Sequence, residues 1–128
     1  SISPGDIICR IGGEEVAVIF KQVNYFTDAQ QNAELIRANI ESECKKIILG
    51  MERSSSSLKT LQNDLRNGNR TITISGGLAC MELLQERLEK NSIDAIATKL
   101  IEVADQKLYV SKQSGRNRIM SINLSSKE

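Results

Sequence analysis

Between Asp6 and Phe20, two runs rich in Ile and Val meet at a glycine pair: D-I-I-C-R-I-G-G-E-E-V-A-V-I-F. β-Branched residues favour strands, and Gly-Gly between two such runs predicts a β-hairpin, with positive φ available at both central positions of a tight turn. Alternation puts Ile7, Cys9 and Ile11 on one face of the first strand, and Val16, Val18 and Phe20 together on the second. An ordinary hairpin with a polar tip satisfies this periodicity. The tip also carries chemistry. Gly12 and Gly13 let a ligand's phosphates approach the backbone, and Glu14 and Glu15 follow at once, carboxylates of the hard-oxygen type that suits Mg²⁺.

The remaining chain reads as α+β. Pro4-Gly5 breaks the lead-in. A helix is predicted over about 27–49, with Thr27 and Gln30 as a capping box and Asp28 suited to the positive helix end. Ala33, Ile36, Ile40, Cys44 and Ile47 form its apolar stripe, read as core packing, and Gly50 stops it. Ser54 to Ser57 read as a flexible link, Leu58, Leu61 and Leu65 as a short amphipathic turn or two, and Arg66-Asn67-Gly68-Asn69 as a turn. A strand over 71–79 contains Gly76-Gly77, which admits a neighbouring backbone or ligand, or marks a bulge. A short helix follows over Met81 to Lys90. Ser92 caps another over about 93–114, with Ile96, Leu100, Ala104 and Leu108 as its stripe and Gly115 as its end. A last strand is predicted over 118–124.

Composition removes several functions. The 128 residues are enough for one domain with one core. A net charge of +1 and 3% aromatic residues give no footprint of a nucleic-acid binder. There is no His, so Ser-His or Cys-His catalysis and His-rich zinc sites are excluded. Cys9, Cys44 and Cys80 form no C-x-x-C pair and read as free thiols of a reducing, cytoplasmic compartment. No apolar run approaches membrane-spanning length and no signal peptide is visible. The opening Ser1 fits either removal of an initiator Met or a cut from a longer protein.

The tip Gly12-Gly13-Glu14-Glu15-Val16 resembles the signature of the GGDEF family, the diguanylate cyclases, with Val in place of the final Phe. Two later stretches are similar to further family motifs in the same order. These are Thr73-Ile74-Ser75-Gly76-Gly77-Leu78-Ala79, and Ala104-Asp105-Gln106-Lys107-Leu108-Tyr109 followed by Lys112-Gln113-Ser114-Gly115-Arg116-Asn117-Arg118. The resemblance implies a ferredoxin-like nucleotidyl-cyclase palm, an antiparallel sheet with helices. It further implies condensation of two GTP into cyclic di-GMP with Mg²⁺ or Mn²⁺, a homodimer, and an upstream sensor domain in the parent chain. Glu14 would be metal ligand and base, and Glu15, the second acid of the signature, would join it in the catalytic set. Gly12 and Gly13 would leave room for the nucleotide, and Lys112 and Arg116 would hold phosphates. Asp105 and Tyr109 would be a structural pair. The family's inhibitory Arg-x-x-Asp site is expected to be missing, because Ser3 stands where Arg belongs before Asp6.

Two departures shape what the resemblance implies. The connection over about 51–70 is long for the family and reads as an insertion. The family's first strand and two helices, with a second metal-binding Asp and the groups that read guanine, have no counterpart; Phe20-Lys21-Gln22-Val23-Asn24 lies on the wrong side of the signature to be the phosphate turn. The palm is therefore expected to be incomplete. The chain would be part of a longer one, or a partner strand would fill the gap, or the remaining strands would pair anew. Two functions follow: the C-terminal part of an active cyclase, or an inactive module used for dimerisation or nucleotide sensing.

Overall fold

The Ile- and Val-rich runs do form a hairpin. In the computed structural model, which describes residues 2–52, 55–81 and 92–122, β1 (Ile7–Gly12) pairs antiparallel with β2 (Glu15–Ile19). Ile7 faces Ile19, Cys9 faces Ala17 and Arg10 faces Val16, and the register slips between Arg10 and Gly12. That slip makes Ile11 an extra residue, and the tip closes over Gly13 and Glu14 instead of the glycine pair. Neither Gly12 nor Gly13 lies in the left-handed region, contrary to the expected Gly-Gly turn. The Arg10 Nε–H donates to the Gly13 carbonyl at 2.9 Å and braces the tip.

Asp6 fixes the base of the hairpin. Its carboxylate accepts the Ser3 N–H at 2.8 Å and the Lys21 N–H at 3.1 Å, joining the turn before β1 to the chain leaving β2. Gly5, at φ +94, makes the reversal. These backbone donors hold the Asp6 carboxyl below its ordinary value.

α1 spans Phe26–Leu49. The capping box is not formed: Tyr25 is the N-cap, without a side-chain bond, and Thr27 is already inside the helix. Burial of Phe26, only 3% exposed, sets the start, because its ring sits in the core with Ala29, Ala33 and Leu78. Phe20, Val23, Cys80 and Ile119 close that cluster. The apolar stripe holds for Ala33, Ile36, Ile40 and Cys44 but not for Ile47, which is 62% exposed. The helix turns Ile48 inward in its place, and Gly50 ends it.

Ser54 lies outside the described residues; Ser55 to Ser57, expected as flexible link, instead cap and start a helix, α2 (Ser56–Asn67), which extends the one or two amphipathic turns expected at Leu58, Leu61 and Leu65. Ser55 caps it by accepting the Leu58 N–H at 3.1 Å, and Gly68 at φ +75 closes it. Polar Ser residues at a helix start supply the capping oxygen that the low-complexity reading overlooked. Leu65 and Gln62 are its buried residues. Gln62 Nε2 donates to the carbonyls of Ile48 at 2.8 Å and Met51 at 3.0 Å, so α2 ties down the last turn of α1 and the chain just beyond it.

The strand expected over 71–79 shortens to β3 (Gly76–Leu78) and the last to β4 (Ile119–Ser121). They pair with each other in parallel, Gly76 opposite Ile119 and Leu78 opposite Ser121. Among the described residues the strands make two two-stranded sheets: the hairpin is antiparallel as expected, but β3 and β4 are parallel and are not joined to it, which corrects the expectation of one antiparallel sheet. A parallel pair needs a crossover, and α3 (Ile93–Gln113) lies in it. Ser92 caps α3 by accepting the Ala95 N–H at 3.2 Å. Val103 is the buried centre of its stripe, packed by Ala79, Ile96, Leu100 and Ile122. The helix expected over Met81–Lys90 lies almost wholly outside the described residues, as do the ends of the last strand at 123–124.

Gly77 explains the closeness of β3 to α3. A Cβ there would lie 1.8 Å from the Ala104 carbonyl oxygen and 2.4 Å from the Leu108 nitrogen. Of the uses expected for Gly76-Gly77, the close approach of another backbone is the one realised.

Candidate functional site

The two carboxylates and two glycines of the tip occupy one exposed end of the hairpin. Glu14 is exposed and Glu15 half-buried. A Cβ added to Gly12 or Gly13 would meet nothing within 4 Å. Neither glycine is needed for a left-handed backbone or for close packing. Glycine in a strand gives up about 0.5–1 kcal/mol relative to Ala, so the fold draws no return from either. Open space beside two carboxylates is what a nucleotide's phosphates would require.

The second half of the expected site is at the end of α3. Lys112 is half-buried in the last turn and Arg116 is exposed. Gly115, Arg116 and Asn117 take φ of +115, +63 and +45, three left-handed residues in a row. For a residue with a Cβ that conformation costs roughly 1–2 kcal/mol, so the turn must be held from outside. The Arg116 N–H donates to the Ser111 carbonyl at 3.0 Å, and the buried Ser111 hydroxyl donates to the Arg118 carbonyl at 2.7 Å. Asn117 Oδ1 accepts from Arg37 Nη1 at 2.7 Å, and Asn117 Nδ2 donates to Glu41 at 2.8 Å. Arg37 Nη1 also donates to Glu41 at 3.1 Å, while its Nε donates to Glu34 at 2.9 Å. This pairing lowers the Glu34 carboxyl and raises the Arg37 guanidinium above its ordinary value.

Sequence reasoning singled out Lys112 and Arg116 and named Asn117 within their motif, but it missed Arg37 and Glu41 and gave Asn117 no contact with them. The signal was present in part: Glu34, Arg37 and Glu41 have helical spacing, yet only the fold brings them to a residue about eighty positions away. The same groups line a cavity of about 740 Å³ between α1, the end of α2 and the turn before β4. None of Gly12, Gly13, Glu14, Glu15, Lys112 or Arg116 lines it.

Among the described residues, no side-chain hydrogen bond or ion pair joins Glu14 or Glu15 to Lys112 or Arg116, so the two halves are not brought together by direct contact. Nor do three His, Cys, Asp or Glu side chains gather into a metal cluster there. Mg²⁺ takes one or two carboxylates plus phosphates and water. The described residues offer the tip carboxylates alone and do not complete a site for it. Asp6, whose carboxylate is engaged by backbone donors, has Ser3 beside it rather than a guanidinium. Asp105 and Tyr109 are both exposed and share no hydrogen bond, so the expected structural pair is not formed. The three cysteines are free. Among the described residues, no helix is long and apolar enough to cross a membrane. The chain matches no family model, and it has no significant match among curated proteins or solved structures.

Proposed function

We propose that the chain is the C-terminal part of a GGDEF-type diguanylate cyclase domain, an incomplete nucleotidyl-cyclase palm. In the parent protein it condenses two GTP into cyclic di-GMP. In each half-reaction a 3′-oxygen bonds to the α-phosphorus of the other nucleotide, and the bond from that phosphorus to the pyrophosphate oxygen breaks. Phosphoryl transfer of this kind depends on alignment and charge more than on covalent catalysis by protein groups.

One observation carries the reading: Gly12 and Gly13 are required by neither backbone nor packing, and they sit beside Glu14 and Glu15 with open space around them. Gly12 and Gly13 admit the nucleotide. Glu14 is one ligand of Mg²⁺ or Mn²⁺, and the remaining ligands lie outside the described residues. Lys112 and Arg116 neutralise phosphate charge. A homodimer follows from the chemistry, since each GTP needs a second held opposite. The regulating sensor domain lies upstream, in a cytoplasmic protein.

A second reading is favoured, among the described residues, by the separation of the two sheets and by the lack of a third metal-ligating side chain beside the tip carboxylates. The 128 residues alone are catalytically inactive, and a chain limited to them serves in dimerisation or nucleotide sensing. The longer protein, supplied with GTP and Mg²⁺, is expected to form cyclic di-GMP and to lose that activity on Glu14→Gln. Bound GTP with no product from the longer protein, or full activity of the Glu14→Gln variant, would sink the cyclase reading.

A further inference from the structure

We propose that Arg37, Glu41 and Asn117 are positioning residues: together they hold the Gly115–Asn117 turn left-handed and so set the direction of Arg116. The phosphate-binding role of Arg116 rests on the cyclase reading; the control of its backbone does not. Arg116 and Asn117 are the two non-glycine residues of the turn at positive φ, +63 and +45, and the exposed Arg116 side chain has no carboxylate partner among the described residues. Its own contacts are to backbone: its N–H meets the Ser111 carbonyl, and its carbonyl accepts the Arg118 Nε–H at 2.9 Å. Nothing in that set fixes φ at the following residue.

Asn117 supplies the missing restraint. Its amide is used at both ends, the oxygen by Arg37 and the nitrogen by Glu41, at 2.7 and 2.8 Å. Arg37 and Glu41 are one helical turn apart on α1 and are bonded to each other, so the two partners approach Asn117 as one rigid unit. Glu34 completes the arrangement by fixing the other edge of the Arg37 guanidinium. A long, well-formed helix thus clamps a turn at the far end of the chain. Asn tolerates the left-handed region better than most residues, but the conformation alone does not require that both ends of its amide be bonded.

The test uses labelled protein and reads the amide-to-Hα coupling and chemical shifts of Arg116 and Asn117. Asn117→Gly keeps the permissive backbone and removes the clamp; Arg37→Lys keeps the charge and removes the planar fork; Glu41→Gln is the mildest change. Each is expected to release the turn from its left-handed signature while amides around Gly77 and Val103 stay in place. Arg37→Lys combined with Asn117→Gly is expected to do no more than either alone. An unchanged Arg116 signature in Asn117→Gly and Arg37→Lys overturns the proposal. Adding GTP and Mg²⁺ to the labelled longer protein separates the two ideas. Perturbation of Arg116 by GTP in the wild type, weakened about tenfold in the same variants, supports positioning for phosphate. If GTP leaves wild-type Arg116 unmoved, the phosphate role fails, while the couplings still decide whether the clamp exists.

Discussion

Single residues divide into those the fold needs and those it does not. Gly77 cannot carry a Cβ without striking the α3 backbone, whereas a Cβ on Gly12 or Gly13 would meet nothing within 4 Å. Replacing Gly12 or Gly13 by Ala is therefore expected to leave thermal stability unchanged or to raise it by up to ~1 kcal/mol, while abolishing GTP binding in the longer protein. Denaturation and titration of the same variants check both halves. Asp6 makes a different contribution. Its carboxyl is held below the ordinary value of 3.8, so its bonds to Ser3 and Lys21 are present above that pH and are lost as pH falls through the lower folded value. Asp6→Asn is expected to loosen the base of the hairpin at neutral pH and to flatten the acid limb of the stability profile below pH about 4.

At the scale of elements, the sequence marked where helices lie better than where strands end. Ser92 and Gly115 mark helix boundaries through local chemistry, one as a capping oxygen and the other at φ +115, whereas Gly50 ends α1 with a right-handed backbone that needs no glycine. Local signals misled where packing or pairing decided. Thr27 offered a capping oxygen, but burying Phe26 set the start of α1. Thr71 to Ser75 have the composition of a strand but no partner to bond, so only Gly76–Leu78 pair. A serine run reads equally as linker or helix cap until Leu65 and Gln62 find a surface to bury against. The candidate site residues stood out as two motifs; the bonds from α1 to Asn117 did not, since they join residues about eighty positions apart. Two substitutions test these elements. Gly77→Ala is expected to cost about 3 kcal/mol or more, because the obstructing atoms are backbone. Gln62→Ala is expected to cost about 2 kcal/mol by removing two bonds to the end of α1. Urea midpoints of both variants give the comparison.

Across the whole molecule, the hairpin is the odd part. Ile7, Ile8, Ile11, Val16 and Ile19 are between 44% and 59% exposed, and they lie on both of its faces. Strands apolar on both faces are those normally covered on both sides. The body formed by β3, α3, β4 and the start of α1 has its own buried clusters, centred on Phe26 and Val103. Local opening follows local burial, so amide hydrogens of β1 and β2 are expected to exchange well before those of α3, in a separate step. Among the described residues the tip carboxylates and the Arg116 turn share no hydrogen bond, and on the proposed reading a chain of these 128 residues is expected not to turn over GTP, which incubation with GTP and Mg²⁺ checks. Product formation by the longer protein, measured as cyclic di-GMP from GTP and Mg²⁺ with wild type and Glu14→Gln side by side, tests the central claim most directly. Synthesis by the wild type, and its loss in the variant, is the expected result. A longer protein that binds GTP but yields no cyclic di-GMP, or a variant as active as the wild type, would contradict it.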